Sequence, residues 1–148
     1  MNIVENKKGF TLVELLIVIA VLGALASVFL LSFPSAQRRA RDTQRRTDLK
    51  QYQALIEIFA TNNNHTYPAT SGNLTGICPD LNLAGNLCVD DPHNTILYQY
   101  AVNAATTAYV VWAQLENPDI DGNTEFFIAC SNGLTGEDSV APAGACPF

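Results

Sequence analysis

Lys7-Lys8-Gly9-Phe10-Thr11-Leu12-Val13-Glu14 opens a long apolar run near the N-terminus of this 148-residue chain. From Leu15 through Gln37 no residue is charged, and up to Phe33 the main interruptions are Gly23, Ser27 and Ser32. About 20 apolar residues cross a bilayer as a helix, so residues 10–33 are expected to form a transmembrane helix. One carboxylate, Glu14, sits inside the start of that span. A charge at membrane depth costs roughly 2.5–3.5 kcal/mol on insertion scales, which points to a function and a partner. An ordinary secretory signal has a basic start, a short apolar core and a small-residue cleavage site. Ala24-Leu25-Ala26 could serve as that site and leave Ser27 as the new N-terminus. Glu14 would then lie in the apolar core, however, and the run continues past the cut to Phe33. A plain membrane anchor has no need of Glu14 either.

A short basic leader ending in Gly9, followed by Phe10-Thr11-Leu12-Val13-Glu14-Leu15, resembles the class III signal of type IV pilins and type II secretion pseudopilins. The resemblance implies cleavage after Gly9 by a prepilin peptidase, which also methylates the new N-terminal amine of Phe10. It implies that Glu14 pairs with the amine of a neighbouring subunit and sets the axial register of a homo-oligomeric helical filament. A carboxylate among apolar helices is tolerable only beside a cation, and N-methylation retains the positive charge. Further implied partners are an inner-membrane assembly platform and other minor pilins. The implied location is a single-pass inner-membrane precursor with its C-terminal domain outside, then an extracellular or periplasmic filament. Adhesion, motility, DNA uptake and protein secretion are the roles open to such a subunit. The alternative is a membrane-anchored or secreted binding module whose apolar segment only targets or tethers it.

Charge is distributed unevenly. All eight Lys and Arg lie at or before Lys50, whereas ten of the fourteen acidic residues lie after it. Loss of the leader, with one acid and two bases, would take the net charge from −6 to −7. An acidic head argues against direct nucleic-acid binding, which rests on Lys and Arg. Arg38, Arg39, Arg41, Arg45, Arg46 and Lys50 cluster just after the span. By the positive-inside rule they would keep the following domain cytoplasmic. Four cysteines in a small domain instead fit disulfides in an oxidising compartment, and the resemblance also places that domain outside. On a helix beside a membrane the basic cluster reads as a solvated face or an inter-subunit contact.

Beyond the span, Leu49, Tyr52, Leu55, Ile56, Phe59 and Ala60 recur at spacings of three and four, one face of a helix. Arg45, Arg46, Lys50, Gln53 and Glu57 supply the polar positions around it. A single helix from Phe10 to about Ala60 would be roughly 75 Å long at 1.5 Å per residue, with a kink or local unwinding expected at Pro34. Residues 61–95 are dense in Gly, Pro and Asn and read as loop. Ile96, Tyr98, Tyr100 and Val102 alternate, as do Tyr109, Val111, Ala113 and Leu115, with the short link 103–107 making a hairpin. A third strand-like run covers 125–130. The expected class is α+β: a long N-terminal helix packed on a small antiparallel sheet, the layout of a minimal pilin. Its parts would be a leader 1–9, a transmembrane and assembly helix 10–33, an amphipathic continuation 34–61 and a head 62–148. Within the head we expect a loop 62–95, a sheet over about 96–130 and a C-terminal loop 131–148.

The cysteine separations contain no CxxC pair, so zinc and thiol-redox chemistry are not indicated. Four cysteines allow three pairings, and proximity favours Cys78–Cys88 and Cys130–Cys146. Closing a loop of about 15 residues is worth around 3 kcal/mol in the chain-entropy estimate. Asp119, Asp121, Asn123 and Glu125 offer alternating oxygen ligands that suggest calcium, but the full set and the distant bidentate Glu of an EF-hand are missing. A turn before the third strand explains these residues as well. No cofactor is otherwise implied. His65 and His93 are isolated in loops, with no nucleophile–base arrangement, so the chain does not read as an enzyme.

Overall fold

The computed structural model describes residues 9–83, 88–93, 96–118 and 122–148, with the side chains of 28–32 left aside. One helix, α1 (Leu12–Asn62), precedes a sheet of five strands: β1 (Gly72–Asn73), β2 (Gln99–Val102), β3 (Tyr109–Gln114), β4 (Phe126–Cys130) and β5 (Thr135–Asp138). The order β1-β2-β3-β4-β5 is that of the chain, and every neighbouring pair is antiparallel. The class is the expected pilin-like α+β arrangement. The chain divides into two compact units, 1–37 and 38–148.

In the first unit α1 begins at Leu12, and its helical pattern runs unbroken through Pro34. The unwound turn expected there is absent: proline removes one N–H and one i−4 bond, and the backbone bonds on either side carry the helix across. Among the described residues, no helix is long and apolar enough to cross a membrane. The expected span over 10–33 includes residues 28–32, whose side chains lie outside the description.

The second unit contains the rest of α1 and the whole sheet. The helix buries Asp42, Arg45, Asp48, Leu49, Tyr52, Ile56 and Ala60. This stripe keeps helical spacing but is ionic in its first two turns and apolar afterwards. Leu55 and Phe59, expected in the core face, are only half-buried, and Ile58 is exposed. Asn64 and His65 adopt positive φ, and the amide of His65 donates to the Ala60 carbonyl at 2.8 Å, which closes the helix C-terminus.

Alternation along the strands divides the sheet into two faces. Tyr98, Tyr100, Tyr109, Val111, Ala113, Phe127 and Ala129 pack with Leu49, Tyr52 and Ile56 in the main core. Val110, Ile128 and Cys130 form a smaller cluster on the other face, flanked by Ala101, Trp112, Phe126 and Cys146. The β2–β3 turn is held by Asn103, whose Oδ1 accepts the amides of Thr107 and Ala108 at 2.8 and 3.1 Å.

Two segments expected to be loops contribute to the sheet. Gly72–Asn73 pairs with β2, followed by a 3-10 turn over Leu74–Ile77 that buries Leu74 and Ile77. Thr135–Asp138 pairs with β4 inside the expected C-terminal loop. Neither carries an alternating apolar pattern, and a Cβ on Gly136 would lie 2.6 Å from the tip of the exposed Phe148 ring, which would have to move aside. Disulfides join Cys78 to Cys88 and Cys130 to Cys146, with Cα separations of 5.8 and 5.7 Å.

Because Ile56 is fully buried in the main core, Ile56→Ala should lower the unfolding free energy by about 2–5 kcal/mol. Ile58→Ala, two residues on and exposed, should change it by less than about 0.5 kcal/mol. Denaturant unfolding of the full chain in detergent measures both; equal effects would show that the helix face is misassigned.

Candidate functional site

The N-terminal residues form a compact local structure. Gly9 has open space around it, and Phe10 is 85% exposed. Thr11 stands one residue before α1, and Glu14 is the third residue of the helix. The amide of Glu14 donates to Thr11 Oγ1 at 3.2 Å, while the amide and hydroxyl of Thr11 both donate to Glu14 Oε2 at 2.9 Å. This is a reciprocal capping box, which satisfies two of the otherwise orphaned donors at a helix start. Thr11-x-x-Glu14 was legible as such a box, yet the sequence reading gave Glu14 only a partner in another subunit. Within one chain its carboxylate is already bonded on one oxygen. From Leu12 to Leu25 the large apolar side chains all stand exposed.

The basic cluster has a different character from the one expected. Arg45 is fully buried, with its Nε 2.6 Å from Asp91 Oδ1 and its Nη1 2.8 Å from Asp42 Oδ1. Its Nη2 lies 2.7 Å from Glu116 Oε1, an ion pair whose angle falls short of a hydrogen bond. Arg41 forks onto the same Glu116 through Nε and Nη2. Asp42 also accepts the amides of Glu116 and Asn117 and the Asn117 side chain, at 2.8, 3.0 and 2.6 Å. Asp91 caps its own loop by accepting the amides of His93 and Ile96. Arg46 pairs with Glu137 at 2.6 Å, and Lys50 sits 5.8 Å from the Phe127 ring centre. Four of the six basic side chains are thus engaged within their own head. A solvated face or an inter-subunit contact was expected because, Asp42 apart, the carboxylates that meet them lie 46 to 91 residues away in sequence. Arg38 and Arg39 remain exposed.

These contacts set the protonation states. The Arg41 fork, aided by Arg45 and opposed by burial, holds Glu116 down at about 2. Burial pushes Asp91 up, but its bonds to Arg45 outweigh that and leave it below its ordinary value. Burial raises Asp48, whose Oδ2 accepts the Tyr98 hydroxyl at 2.8 Å. Burial also raises Tyr52, to about 12, while its hydroxyl donates to the Val89 carbonyl at 2.6 Å.

Of the four calcium candidates, Asp119 and Asp121 lie outside the described residues. Among the described residues no group of three or more His, Cys, Asp or Glu could hold a metal ion.

Residues 5–30 match the family profile described as the prokaryotic N-terminal methylation motif. The type IV wide pilus major component of Thermus thermophilus is 42% identical over 60 residues, 40% of this chain and 46% of that protein. A type II secretion system core protein G from Pectobacterium carotovorum is 24% identical over 136 residues, 91% of this chain and 83% of that one. The type IV major pilin of Myxococcus xanthus is 35% identical over 62 residues, 41% of this chain and 28% of that one. The chain therefore matches less than half the length of either pilin. No solved structure gives a significant match. The chain thus carries the methylation motif over residues 5–30 and is similar both to type IV pilins and to type II secretion core proteins.

Arg45→Ala leaves Asp42 and Asp91 buried without their cation and should destabilise the head by about 3–5 kcal/mol. Arg46→Ala, at a half-exposed pair, should cost at most about 1 kcal/mol. Chemical denaturation of the two variants checks the ranking. Because folding lowers Glu116 from its ordinary 4.5 to about 2, its contribution is complete above pH 4.5 and is lost as pH falls toward 2. The melting temperature should drop across that window, and Glu116→Gln should flatten the drop; an unchanged slope would assign the acid sensitivity elsewhere.

Proposed function

We propose that this chain is a structural subunit of a type IV pilus-like filament, cut after Gly9, N-methylated at Phe10 and polymerised through its N-terminal helix. The observation that carries the reading is the methylation-motif match over residues 5–30 on a helix whose apolar side chains from Leu12 to Leu25 stand exposed. Exposed apolar surface of that extent marks an interaction site or a membrane contact. It suits both stages of the proposed life cycle. The segment sits in the inner membrane as a precursor, with the head outside, and packs against its copies in the filament. A prepilin peptidase, an inner-membrane platform and accessory pilins are the partners this pathway requires.

Glu14 has two tasks in this scheme. In the single chain the Thr11 donors share its charge, which eases its position near lipid. In the filament the methylated amine of a neighbouring Phe10 approaches the same carboxylate, and the ion pair fixes which subunit lies beside which.

The mass of the mature N-terminus is the direct test. A peptide beginning with methylated Phe10 is expected; one beginning at Ser27, or an intact Met1, would point to a targeting signal or anchor instead. Replacing Gly9 with a bulky residue should leave an uncut precursor in the membrane. Glu14→Val should insert normally yet yield no filaments in sheared surface fractions. Thr11→Ala, which removes the cap but keeps the carboxylate, should retain them. Equal loss from both variants would mean that Glu14 acts only by capping.

A further inference from the structure

We propose that the outward face of the sheet carries a binding site for a neutral sugar, centred on Trp112. Val110, Ile128 and Cys130 on that face are buried, but Trp112 and Phe126, on the same face, are only half-buried. With Ile96, Leu97, Gln99 and Gln114 they line a cavity of about 280 Å³. Register accounts for the grouping. Gln99 pairs across strands with Trp112, and Gln114 pairs with Phe126, so two aromatic rings alternate with two amides on adjacent strands.

The polar groups of this cavity are only partly used. The Gln99 amide nitrogen donates to Asn73 Oδ1 at 2.8 Å, which leaves its carbonyl oxygen as an acceptor. Neither the Trp112 indole N–H nor the Gln114 amide has a hydrogen-bond partner among the described residues. The lining mixes polar and apolar surface about equally, and polar groups set beside aromatic side chains fix the orientation of a small ligand. Among the described residues, no lining residue is charged, in a chain of net charge −6. The nearest carboxylate by register, Asp138, faces Phe126 across the strands and accepts the amide of Val140 at 3.0 Å. Among the described lining residues an anionic ligand would find no counter-charge, and a cation no carboxylate. A pyranose supplies what the cavity lacks. Its C–H face lies on the indole, and its hydroxyls both donate and accept, matching the Gln99 oxygen, the Gln114 amide and the indole N–H. Leu97, 48% exposed, adds an apolar side chain to the lining.

Trp112 is the one tryptophan in the chain, so its fluorescence reports directly on the site. The full chain, in a detergent without a sugar headgroup, is titrated with cellotriose, chitotriose and mannotriose. A saturable fluorescence change with a millimolar Kd is expected for at least one of them. Gln114→Ala keeps the fluorophore and alters an exposed side chain, so it should weaken that binding at least five-fold without changing the melting temperature. The proposal fails if none of the three sugars changes the emission, or if Gln114→Ala binds as the parent chain does. It also fails if the emission shifts only with protein concentration, which would make the face a contact between copies.

Discussion

Arg45 has left water entirely, and a guanidinium in that state must meet carboxylates at fixed positions or the fold does not form. Its partners come from three places: Asp42 one turn back on the helix, Asp91 in the loop before β2, and Glu116 just after β3. Those residues are spaced by further bonds, because Asp42 also accepts the amides of Glu116 and Asn117 while Asp91 accepts those of His93 and Ile96. One cation therefore determines where a long loop and the end of a central strand lie against the helix. Well-packed apolar residues often replace such a cluster at no net loss of stability. Its contribution here is to specify the arrangement, fixing Asp91 and Glu116 against one point of the helix.

The two halves of α1 answer to different constraints. Beyond Arg38 the buried stripe faces its own sheet, first with ions and then with Leu49, Tyr52 and Ile56. From Leu12 to Leu25 the large apolar side chains form no buried stripe; Leu12, Ile17 and Leu22 are each more than half exposed although they point in different directions around the helix. A helix apolar on every side needs an apolar surrounding on every side. Under the proposed function, lipid supplies that surrounding at one stage and a bundle of identical helices at another. Between the halves, Arg38 and Arg39 stand in water as the exposed members of the basic cluster.

Much of this was legible from patterns within short windows. The basic leader, Gly9-Phe10 and Glu14 are contiguous, and the strands around Tyr100 and Val111 announce themselves by period-two alternation. The nearest cysteines in sequence are also the ones that are joined. What escaped notice depends on partners far along the chain or on backbone bonding alone. Arg45 looks like any exposed helical arginine until Asp91 and Glu116 are brought to it. Gly72–Asn73 and Thr135–Asp138 have no apolar signal and become strands by completing the hydrogen bonds of their neighbours. The capping role of Glu14 is an exception, since Thr11-x-x-Glu14 lay in plain view, and its apolar surroundings drew attention to charge instead.

The ionic cluster has a mechanical consequence. In a chain pulled by its N-terminal segment, tension enters the head along α1 and meets Arg41, Asp42 and Arg45 within eight residues of the boundary between the two units. Those side chains hold the helix to two separate stretches of backbone, so the load divides between them before it reaches the apolar core. Ion pairs confined in a dry site resist sliding, because any displacement strips a charge of its partner with no water to replace it. The disulfide between Cys78 and Cys88 ends three residues before Asp91 and ties that point of the chain back to Cys78. Within residues 38–148, a pull on the helix would be met by these ion pairs before the apolar residues farther along it.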